Sequence, residues 1–483
     1  MVLLSLLEIL IGMQIWQLNI VPFKYFLFIG AAIILLDLLI ANLLLSVKKK
    51  KKAWHRVLGY ILAVFIVAVL FFVSQGISKI QETMDAVTQT TEVSAVVELY
   101  VLQKDGAEVL EDAADYQIAM TEGIDQENLK ITLTAMENSF GKTVQSVNYD
   151  NVFAMVDGLY AEEVDALLIN SAYVDIITEL ENYMDFPERV KCIWQYDVHQ
   201  IVETEAEEEN AEIQVVEDSS EYAPFVVYIS GSDTRSKKLK TSRSDVNILA
   251  VVNPATEQML LVNTPRDYYI EFPGVTGGAK DKLTHAGIYG VDVSMTALGA
   301  LYDIDPEYYV RVNFTSLVEM VDALGGVDVY SEYAFTTKED GMVVSKGLNH
   351  FNGEQALEFC RERKNLPGGD FQRGKNQQAV ITAMIQKVIS PAILLGAGDI
   401  MESLAGNVDT NMSQSQIAEL IKEQLNEPVS WDVTSMAAEG TGGSKQCYSM
   451  PGRTLYVTHP DYESVDEIKE AIGRVRAGET LKE

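Results

Sequence analysis

Three arginines stand close together in residues 356–378, and their spacing indicates a site for an anion. Arg361, Arg363 and Arg373 supply fixed positive charge in a chain whose formal net charge is -33. Guanidinium groups bind phosphate oxygens in a bidentate manner, so such a cluster in an acidic protein indicates a local anionic ligand. A phosphate or pyrophosphate fits this chemistry.

Arg361 and Arg363 can point to the same side only if the helix that precedes them ends before Arg361. Residues two apart face opposite sides of a helix but the same side of an extended chain, so we expect this helix to end near Phe359. A loop at 366–369 should follow, and Asp370 is well placed to cap a helix at 371–390, whose free N–H groups would face the arginines. The alternative is a solvated helix face on which the arginines pair with acidic neighbours, namely Glu354, Glu358 and Glu362.

Two more arginines are expected at one end of a predicted hairpin. Strands at 246–252 and 258–264 are joined by a short turn, and Arg243 precedes the first strand while Arg266 follows the second. Both therefore lie at the open end of the hairpin. Asp233 and Asp245 stand beside basic residues, and carboxylates next to a phosphate site suit magnesium. Simple pairing of these aspartates with neighbouring arginines is the alternative.

Residues 1–76 are predicted to form three transmembrane helices, at 2–20, 26–47 and 57–74. The last has no charged residue, whereas Glu8 and Asp37 interrupt the other two. A run of five lysines at 48–52 is expected to stay in the cytoplasm, which makes this a multi-pass protein of the cell membrane with its later domains outside the cell. Those domains are strongly acidic, which argues against binding to nucleic acid.

The rest of the chain is predicted to be α/β. A stalk at 77–92 leads to a small α/β accessory domain at 93–202, an acidic linker at 203–222 and a larger α/β/α sandwich with a mixed sheet at 223–483, where the tail includes a Gly-rich loop.

The three cysteines lack metal-type spacing and predict no disulfide framework, and Cys360 is expected to be a buried thiol. His285 is interpreted as structural, with a catalytic role as the alternative.

The larger domain contains several motifs in a definite order. They are GlySerAspThrArg from Gly231, ArgSerAspValAsnIleLeu from Arg243, ThrProArgAsp from Thr264, AspLysLeuThrHisAlaGlyIleTyrGly from Asp281 and AlaLeuGlyGlyValAspVal from Ala323. In these motifs and their order, residues 225–425 resemble the LytR-CpsA-Psr family. The closest resemblance is to capsule-type members, which also have three membrane helices and an extracellular accessory domain.

The resemblance implies a phosphotransferase that moves a glycopolymer with its phosphate from a polyprenyl-pyrophosphate carrier to peptidoglycan. The polymer would be a capsular polysaccharide or a teichoic-acid-like chain, the cofactor Mg²⁺ or Mn²⁺, and the further partners membrane lipid and proteins of capsule or wall-polymer biosynthesis. A regulator that senses polyprenyl phosphate and a lipid pyrophosphatase that uses water as acceptor remain alternatives.

The resemblance also assigns roles to individual residues. Asp370, by its position in the chain rather than by the resemblance, is the expected activator of the acceptor hydroxyl, with helix capping as its alternative, and it forms the catalytic set with Arg266 and Arg373. The metal ligands would be Asp233 and Asp245. The pyrophosphate would be held by Arg243, Arg266, Arg361, Arg363, Arg373 and Gln377.

Overall fold

The computed structural model describes residues 2–45, 54–88, 92–122, 125–178, 180–201, 223–232, 242–388, 408–426 and 429–481. These residues form a group of apolar helices followed by two α/β regions, in agreement with the predicted fold class. The predicted linker at 203–222 and Asp233 lie outside the described residues.

Three apolar helices begin the chain: α1 (Val2–Leu18), α2 (Phe23–Leu45) and α3 (Trp54–Thr88). Helices α2 and α3 are long and apolar enough to cross a membrane, while α1 is shorter. Asp37 has a polar partner within the bundle, since the Ser5 hydroxyl donates a hydrogen bond to its carboxylate at 3.1 Å. Helix α3 continues to Thr88, so residues 77–88 of the predicted stalk extend the third apolar helix.

The first α/β region contains a five-stranded sheet with the order β3-β2-β4-β1-β5. Strand β2 runs parallel to β3 and β4, whereas β1 is antiparallel to β4 and β5. The elements are β1 (Glu92–Leu102), β2 (Gln117–Thr121), α4 (Gln126–Phe140), β3 (Gln145–Tyr149), α5 (Val152–Tyr160), β4 (Ala166–Asn170), α6 (Val174–Thr178), α7 (Phe186–Arg189) and β5 (Val190–Ile201).

The second α/β region contains a mixed six-stranded sheet with the order β16-β11-β6-β7-β8-β17. Strands β6 and β11 are parallel, as are β8 and β17, and the predicted hairpin is the antiparallel pair β7 and β8. The elements up to α10 are β6 (Phe225–Ser232), β7 (Val246–Asn253), β8 (Gln258–Asn263), β9 (Tyr269–Glu271), β10 (Lys280–Lys282), α8 (Leu283–Ala286), α9 (Val291–Tyr302), β11 (Tyr308–Asn313) and α10 (Phe314–Ala323).

Short strands and longer helices complete this region and cover both faces of its sheet. They are β12 (Val327–Ser331), β13 (Phe335–Thr336), β14 (Val343–Val344), β15 (Gly347–Phe351), α11 (Gly353–Arg361), α12 (Asp370–Val388), β16 (Val408–Thr410), α13 (Gln414–Asn426), β17 (Asp432–Ala437), β18 (Gly440–Cys447), β19 (Met450–Pro460) and α14 (Tyr462–Arg476).

Side chains alternate between two apolar cores on the two faces of the six-stranded sheet. On one face, Tyr228 and Leu249 pack with Leu298 of α9 and Ile468 of α14. On the other face, Ile248 and its neighbours pack against α12. Because a strand directs successive side chains to opposite faces, a strand that is apolar at every position must be covered on both sides. The sheet is thus the central layer of an α/β/α sandwich.

A hairpin of β18 and β19 connects the two α/β regions. Leu455 and Val457 of β19 belong to the same buried cluster as Phe153 and Tyr183 of the first region. The Arg453 guanidinium donates a hydrogen bond to the Tyr183 hydroxyl at 2.7 Å and lies 5.1 Å from the centroids of both aromatic rings. The Gly-rich segment predicted as a loop is therefore strand β18. The domain division at 93–202 and 223–483 stays a prediction, and the two parts share a core.

The second α/β region also contacts the outer ends of the apolar helices. Lys422 of α13 donates to the Asn19 side chain at 2.9 Å, between α1 and α2, and Gln414 donates to Asp85 of α3 at 2.5 Å. The Lys24 ammonium group contacts the backbone carbonyl of Asn426. Since α2 starts at this contact and runs away from it, the predicted lysine-rich loop follows the far end of the bundle.

Candidate active site

The candidate site lies at one edge of the six-stranded sheet. The parallel strands β6 and β11 end there, and so does β8. Strand β7 begins there, and just before it the Asp245 N–H donates a hydrogen bond to the Gly231 carbonyl of β6 at 2.8 Å. Helix α12 reaches the same edge, and a Cβ on Gly374 would collide with the side chain of Asn263. Ligand sites of open α/β sheets form outside strand ends of this kind.

Asp245 lies at the centre of this edge. Its Oδ1 atom accepts a hydrogen bond from Arg266 Nη1 at 2.6 Å and a longer one from Thr284 Oγ1 at 3.3 Å. Arg243 is buried beside it. The prediction that the open end of the hairpin brings Arg243 and Arg266 to one rim therefore agrees with the structure.

The charge on Asp245 depends on its arginine neighbours. Burial alone raises the pKa of this carboxyl, but the attraction of Arg266 and Arg243, the hydrogen bond from Arg266 and the charge of Arg373 together hold its pKa below the usual value. Asp245 is thus an anion within a group of three cations. We call Arg243, Arg266 and Arg373 the inner arginines.

Helix α12 brings Arg373 and Gln377 to the site. The loop before it contains Gly368 and Gly369, both with positive φ angles (83° and 56°), which lets the chain turn sharply into the helix. The helix begins at Asp370, one residue before the predicted start at Phe371, and Arg373 lies in its first turn. Gln377, one turn later, donates a hydrogen bond to the Cys360 carbonyl at 3.5 Å, so it lies beside the end of α11.

Arg361 and Arg363, which we call the outer arginines, have different surroundings. Helix α11 ends at Arg361, two residues later than predicted. The Arg361 guanidinium forms an ion pair with Glu339 at 2.7 Å and lies 5.3 Å from the centroid of the Phe314 ring, whereas Arg363 is exposed. The alternative in which Arg361 pairs with acidic residues of its own helix is therefore wrong about the partner.

Glu362 separates the two outer arginines and shapes their loop. Its Oε1 atom accepts hydrogen bonds from the backbone N–H groups of residues 363–365 at 2.8–3.1 Å, and Oε2 accepts one from Lys338 N–H at 2.6 Å. Burial raises the pKa of this carboxyl, but these four hydrogen bonds hold it below the usual value. Sequence reasoning treated Glu362 only as an ion-pair partner and missed this role in positioning Arg363.

The carboxylates near the site differ in their ability to hold a metal ion. Asp267 is engaged by Lys282 at 3.2 Å and by Arg266 at 3.8 Å. At Asp245, the hydrogen bonds from described residues reach Oδ1, and among these residues none donates to Oδ2. One oxygen of Asp245 can therefore accept a hard cation such as Mg²⁺, while Asp233, its predicted partner, lies outside the described residues. Within the described ranges, no group of three or more His, Cys, Asp or Glu residues forms a metal site.

Arg311 is a further basic residue that sequence reasoning missed. It lies in β11, forms an ion pair with Asp409 at 3.1 Å and lines a small cavity together with Arg243. Its place within an apolar strand gave no signal of a site. The structure therefore adds one arginine to the surroundings of Arg243.

Two residues with reactive side chains prove to be structural. His285 is fully buried, and its Nδ1 atom lies 2.7 Å from Asp281 Oδ1 and 2.9 Å from Ser449 Oγ, which joins α8 to the β18–β19 hairpin. Cys360 is buried in the core under α11, and burial raises the pKa of its thiol to about 12. The interpretations of both residues from sequence agree with the structure.

The fold and the site define an α/β protein with N-terminal apolar helices and an arginine-rich cleft at the sheet edge. The sequence model of the LytR_cpsA_psr family matches residues 194–471. The chain belongs to this family.

Relatives within the family are named for work on the cell wall. The chain is 36% identical over 227 residues to polyisoprenyl-teichoic acid–peptidoglycan teichoic acid transferase TagU of Bacillus cereus, covering 47% of this chain and 72% of that protein. A protein of the same name from Enterococcus faecalis is 35% identical over 192 residues, covering 39% and 62%. The crystal structure of TagV from B. subtilis aligns with a TM-score of 0.45 and 25% identity, covering 53% of this chain and 98% of that one.

Proposed function

We propose that this protein transfers a glycopolymer with its phosphate from a polyprenyl-pyrophosphate carrier to peptidoglycan on the outer face of the cell membrane. Family membership and the names of the relatives support a transferase of the cell wall. The single observation that carries the proposal is the convergence of the inner arginines on Asp245 beside the first turn of α12. This arrangement suits a pyrophosphate, because guanidinium forks and helix N–H groups both bind phosphate oxygens.

The inner arginines have the properties that phosphoryl transfer requires. In this reaction the protein mainly positions the groups and neutralises the charge that develops on phosphate oxygens. Arg266 is held by a carboxylate and Arg243 is buried, so their charges are in place before the substrate binds. Charges that need no rearrangement stabilise a transition state most effectively.

Each bond change has an assigned group. A sugar hydroxyl of peptidoglycan attacks the phosphorus next to the glycan, a new P–O bond forms, the bond to the bridging oxygen breaks, and polyprenyl phosphate leaves. We assign the hydroxyl proton to Asp370, the first residue of α12, with helix capping as its alternative role. The arginines stabilise the charge on the leaving phosphate.

We further propose that Asp245, with Asp233, holds a magnesium or manganese ion. The chemistry of the Asp245 carboxylate fits, since it is kept ionised and has one oxygen without a donor among the described residues. A divalent ion there would neutralise phosphate charge. The inner arginines compete with that ion for the same carboxylate, so the affinity for metal should rise when pyrophosphate draws their charge away.

The predicted membrane topology supports a lipid-linked donor. The contacts of α13 with the apolar helices hold the second α/β region against the end of the bundle where α2 begins, and in the sequence the lysine run follows the other end of α2. Because basic loops stay in the cytoplasm, we place the site outside the cell. The carrier would then reach the cleft from the outer leaflet.

A transfer assay tests the proposed function. The full chain in lipid nanodiscs is supplied with a labelled lipid-pyrophosphate glycan, Mg²⁺ and peptidoglycan oligomers. Covalent attachment of the glycan to the oligomer supports the proposal. Release of free glycan phosphate would instead indicate a pyrophosphatase, and tight binding without turnover would indicate a regulator.

A further inference from the structure

A second cleft lies beside α12 and is separate from the inner arginines. It has a volume of about 460 Å³ and is enclosed by α12, the β12–β15 strand pair and β17. Strand β17 is an edge strand of the six-stranded sheet, and within the described residues no further strand pairs with its free side. The cleft lies along that side of the domain. The roles assigned to the pyrophosphate site do not use it.

Amide side chains form the floor of the cleft. Gln378 is buried, and its Nε2 atom donates to the carbonyls of Leu261 at 2.7 Å and Met436 at 3.0 Å. Both of its donors are thus used, while its Oε1 atom accepts no hydrogen bond from a described residue. Gln372 is also more than nine-tenths buried, and its Nε2 donates to Asn376 at 3.2 Å. Both residues line the cleft, and neither Oε1 atom accepts a hydrogen bond from a described residue, so each is available to accept one from a ligand.

Apolar and acidic side chains form the opposite wall. Tyr330 and Leu348 stand directly opposite each other in β12 and β15, line the cleft, and are 59% and 70% exposed. Asp328 and Glu332 of the same wall add carboxylates, and Lys375 of α12 adds one cation. A ligand for this cleft must present O–H and N–H donors together with an apolar face, and a strongly anionic chain would be repelled.

We propose that this cleft binds the glycan backbone of the acceptor, as an uncharged oligosaccharide of N-acetylated amino sugars. Sugar hydroxyls and acetamido N–H groups would donate to Gln372, Gln378 and the carboxylates, and a sugar ring would stack on Tyr330. The proposal rests on the proposed function for its biological meaning, and on the cleft alone for its chemistry.

The position of the cleft fits an acceptor better than a donor. The cleft runs along α12 from Gln372 to Gln386, about 21 Å at the rise of an α-helix, which accommodates several sugar rings. Its first residue, Gln372, immediately precedes Arg373 of the pyrophosphate site. A glycan seated here would have one end next to the reacting phosphate, whereas an anionic donor polymer would meet Asp328 and Glu332.

Binding of a defined probe tests the cleft without any donor. The full chain in nanodiscs is titrated with the β-1,4-linked tetramer of N-acetylglucosamine, and the affinity is measured by calorimetry. We expect Tyr330→Ala to weaken binding about tenfold and Tyr330→Phe to change it by less than about twofold, because the ring carries the contact. Tyr456→Ala removes a similarly exposed tyrosine from β19 and should leave binding unchanged.

Two results would overturn the assignment. One is a wild-type protein that does not bind the tetramer at millimolar concentration, and the other is binding that Tyr330→Ala leaves intact. Competition by an anionic glycerol phosphate oligomer that Tyr330→Ala abolishes would likewise overturn it, since the cleft would then accept the donor polymer.

The transfer assay separates this proposal from the proposed function. If transfer occurs, Tyr330→Ala should raise the KM for the peptidoglycan oligomer about tenfold with little change in kcat, and an unchanged KM contradicts the cleft while the function stands. If wild-type protein binds the tetramer through Tyr330 but only hydrolyses the donor, the cleft is supported and the proposed function fails.

Discussion

The family resemblance implies the same pyrophosphate-binding role for the inner and the outer arginines, but the fold holds the two groups differently. Arg266 is largely buried and bound to Asp245, and Arg243 is buried beside the same carboxylate. Arg361 pairs with Glu339 at the surface, and Arg363 is exposed on a loop shaped by Glu362. The inner group surrounds one buried carboxylate, whereas the outer group lies at the surface, with Arg361 paired with Glu339 and the backbone of Arg363 held by Glu362.

This difference has consequences for both stability and function. Removing one partner of a largely buried ion pair destabilises the folded state because the other charge is left unpaired, whereas an exposed pair contributes little because water and salt screen it. A residue of the inner group should therefore affect folding and activity together. Arg363, whose side chain is exposed, should affect activity with little effect on stability.

The largest expected effect is that of Arg266→Ala. Removing this guanidinium takes away one charge from the pyrophosphate site and a hydrogen bond to a carboxylate. We expect transfer to fall about a hundredfold or more and the free energy of unfolding to fall by about 1.5–3 kcal/mol. Transfer assays and thermal or denaturant melts of the full chain measure these effects. Full activity in this variant would remove Arg266 from the site.

Arg363→Ala should separate activity from stability. If Arg363 binds the pyrophosphate, as the family resemblance implies, we expect transfer to fall by about a hundredfold as well, because one charge that stabilises the reacting phosphate is lost. The side chain is exposed, so the free energy of unfolding should change by less than about 0.5 kcal/mol. A loss of stability similar to that of Arg266→Ala would show that the distinction between inner and outer arginines is wrong.

Glu362→Gln tests whether the loop backbone positions Arg363. Both oxygens of the Glu362 carboxylate accept hydrogen bonds from backbone N–H groups, so the NH2 group of a glutamine would place a donor against another donor. We expect a loss of about 1–3 kcal/mol in stability. Transfer should fall as well, because Arg363 follows directly in the chain. Glu354→Gln is the matched control, since Glu354 is exposed on α11, the helix that Glu362 directly follows. Equal effects of both variants would contradict a specific role for Glu362.

The smallest expected effect is a change in acid stability at Asp245. Its pKa is lower in the folded protein than the ordinary value of 3.8, so the unfolded chain takes up a proton first as the pH falls. The stability it contributes is fully present above that value and is lost as the pH falls through the folded pKa. Melts from about pH 5 to about pH 3 should show a shallower decline for Asp245→Asn than for the wild type. Parallel curves would mean that the arginines do not hold the carboxylate ionised.

Local patterns predicted much of the fold and of the site. The β7–β8 hairpin followed from two apolar runs and a short turn, and it brought Arg243 and Arg266 to one rim as expected. Strand β2 has a weak signal in the sequence, because its segment GlnIleAlaMetThr is short and includes residues with little preference for strands. Strand β18 was predicted to be a loop because it is rich in glycine. In the structure it is a strand because it pairs with β19.

Partner choice was beyond local reasoning. The sequence suggested acidic neighbours on α11 for Arg361, whereas the structure selects Glu339, which comes from a different part of the chain. Likewise, Glu362 turned from an expected ion-pair partner into an acceptor for backbone N–H groups. Such choices depend on which loops meet, and a pattern of residue types does not contain that information.

The sequence by itself determined the chemistry of this protein: the number of arginines, the aspartates beside them, the apolar helices and the hairpin. These features follow from residue type and short-range spacing, which act within a few residues. Only the tertiary structure decided that three arginines surround Asp245, that two others stay outside, and that Arg453 joins Tyr183, 270 positions away. Contacts of this range form when separate elements bury their apolar faces together, so they arise from packing of the whole chain.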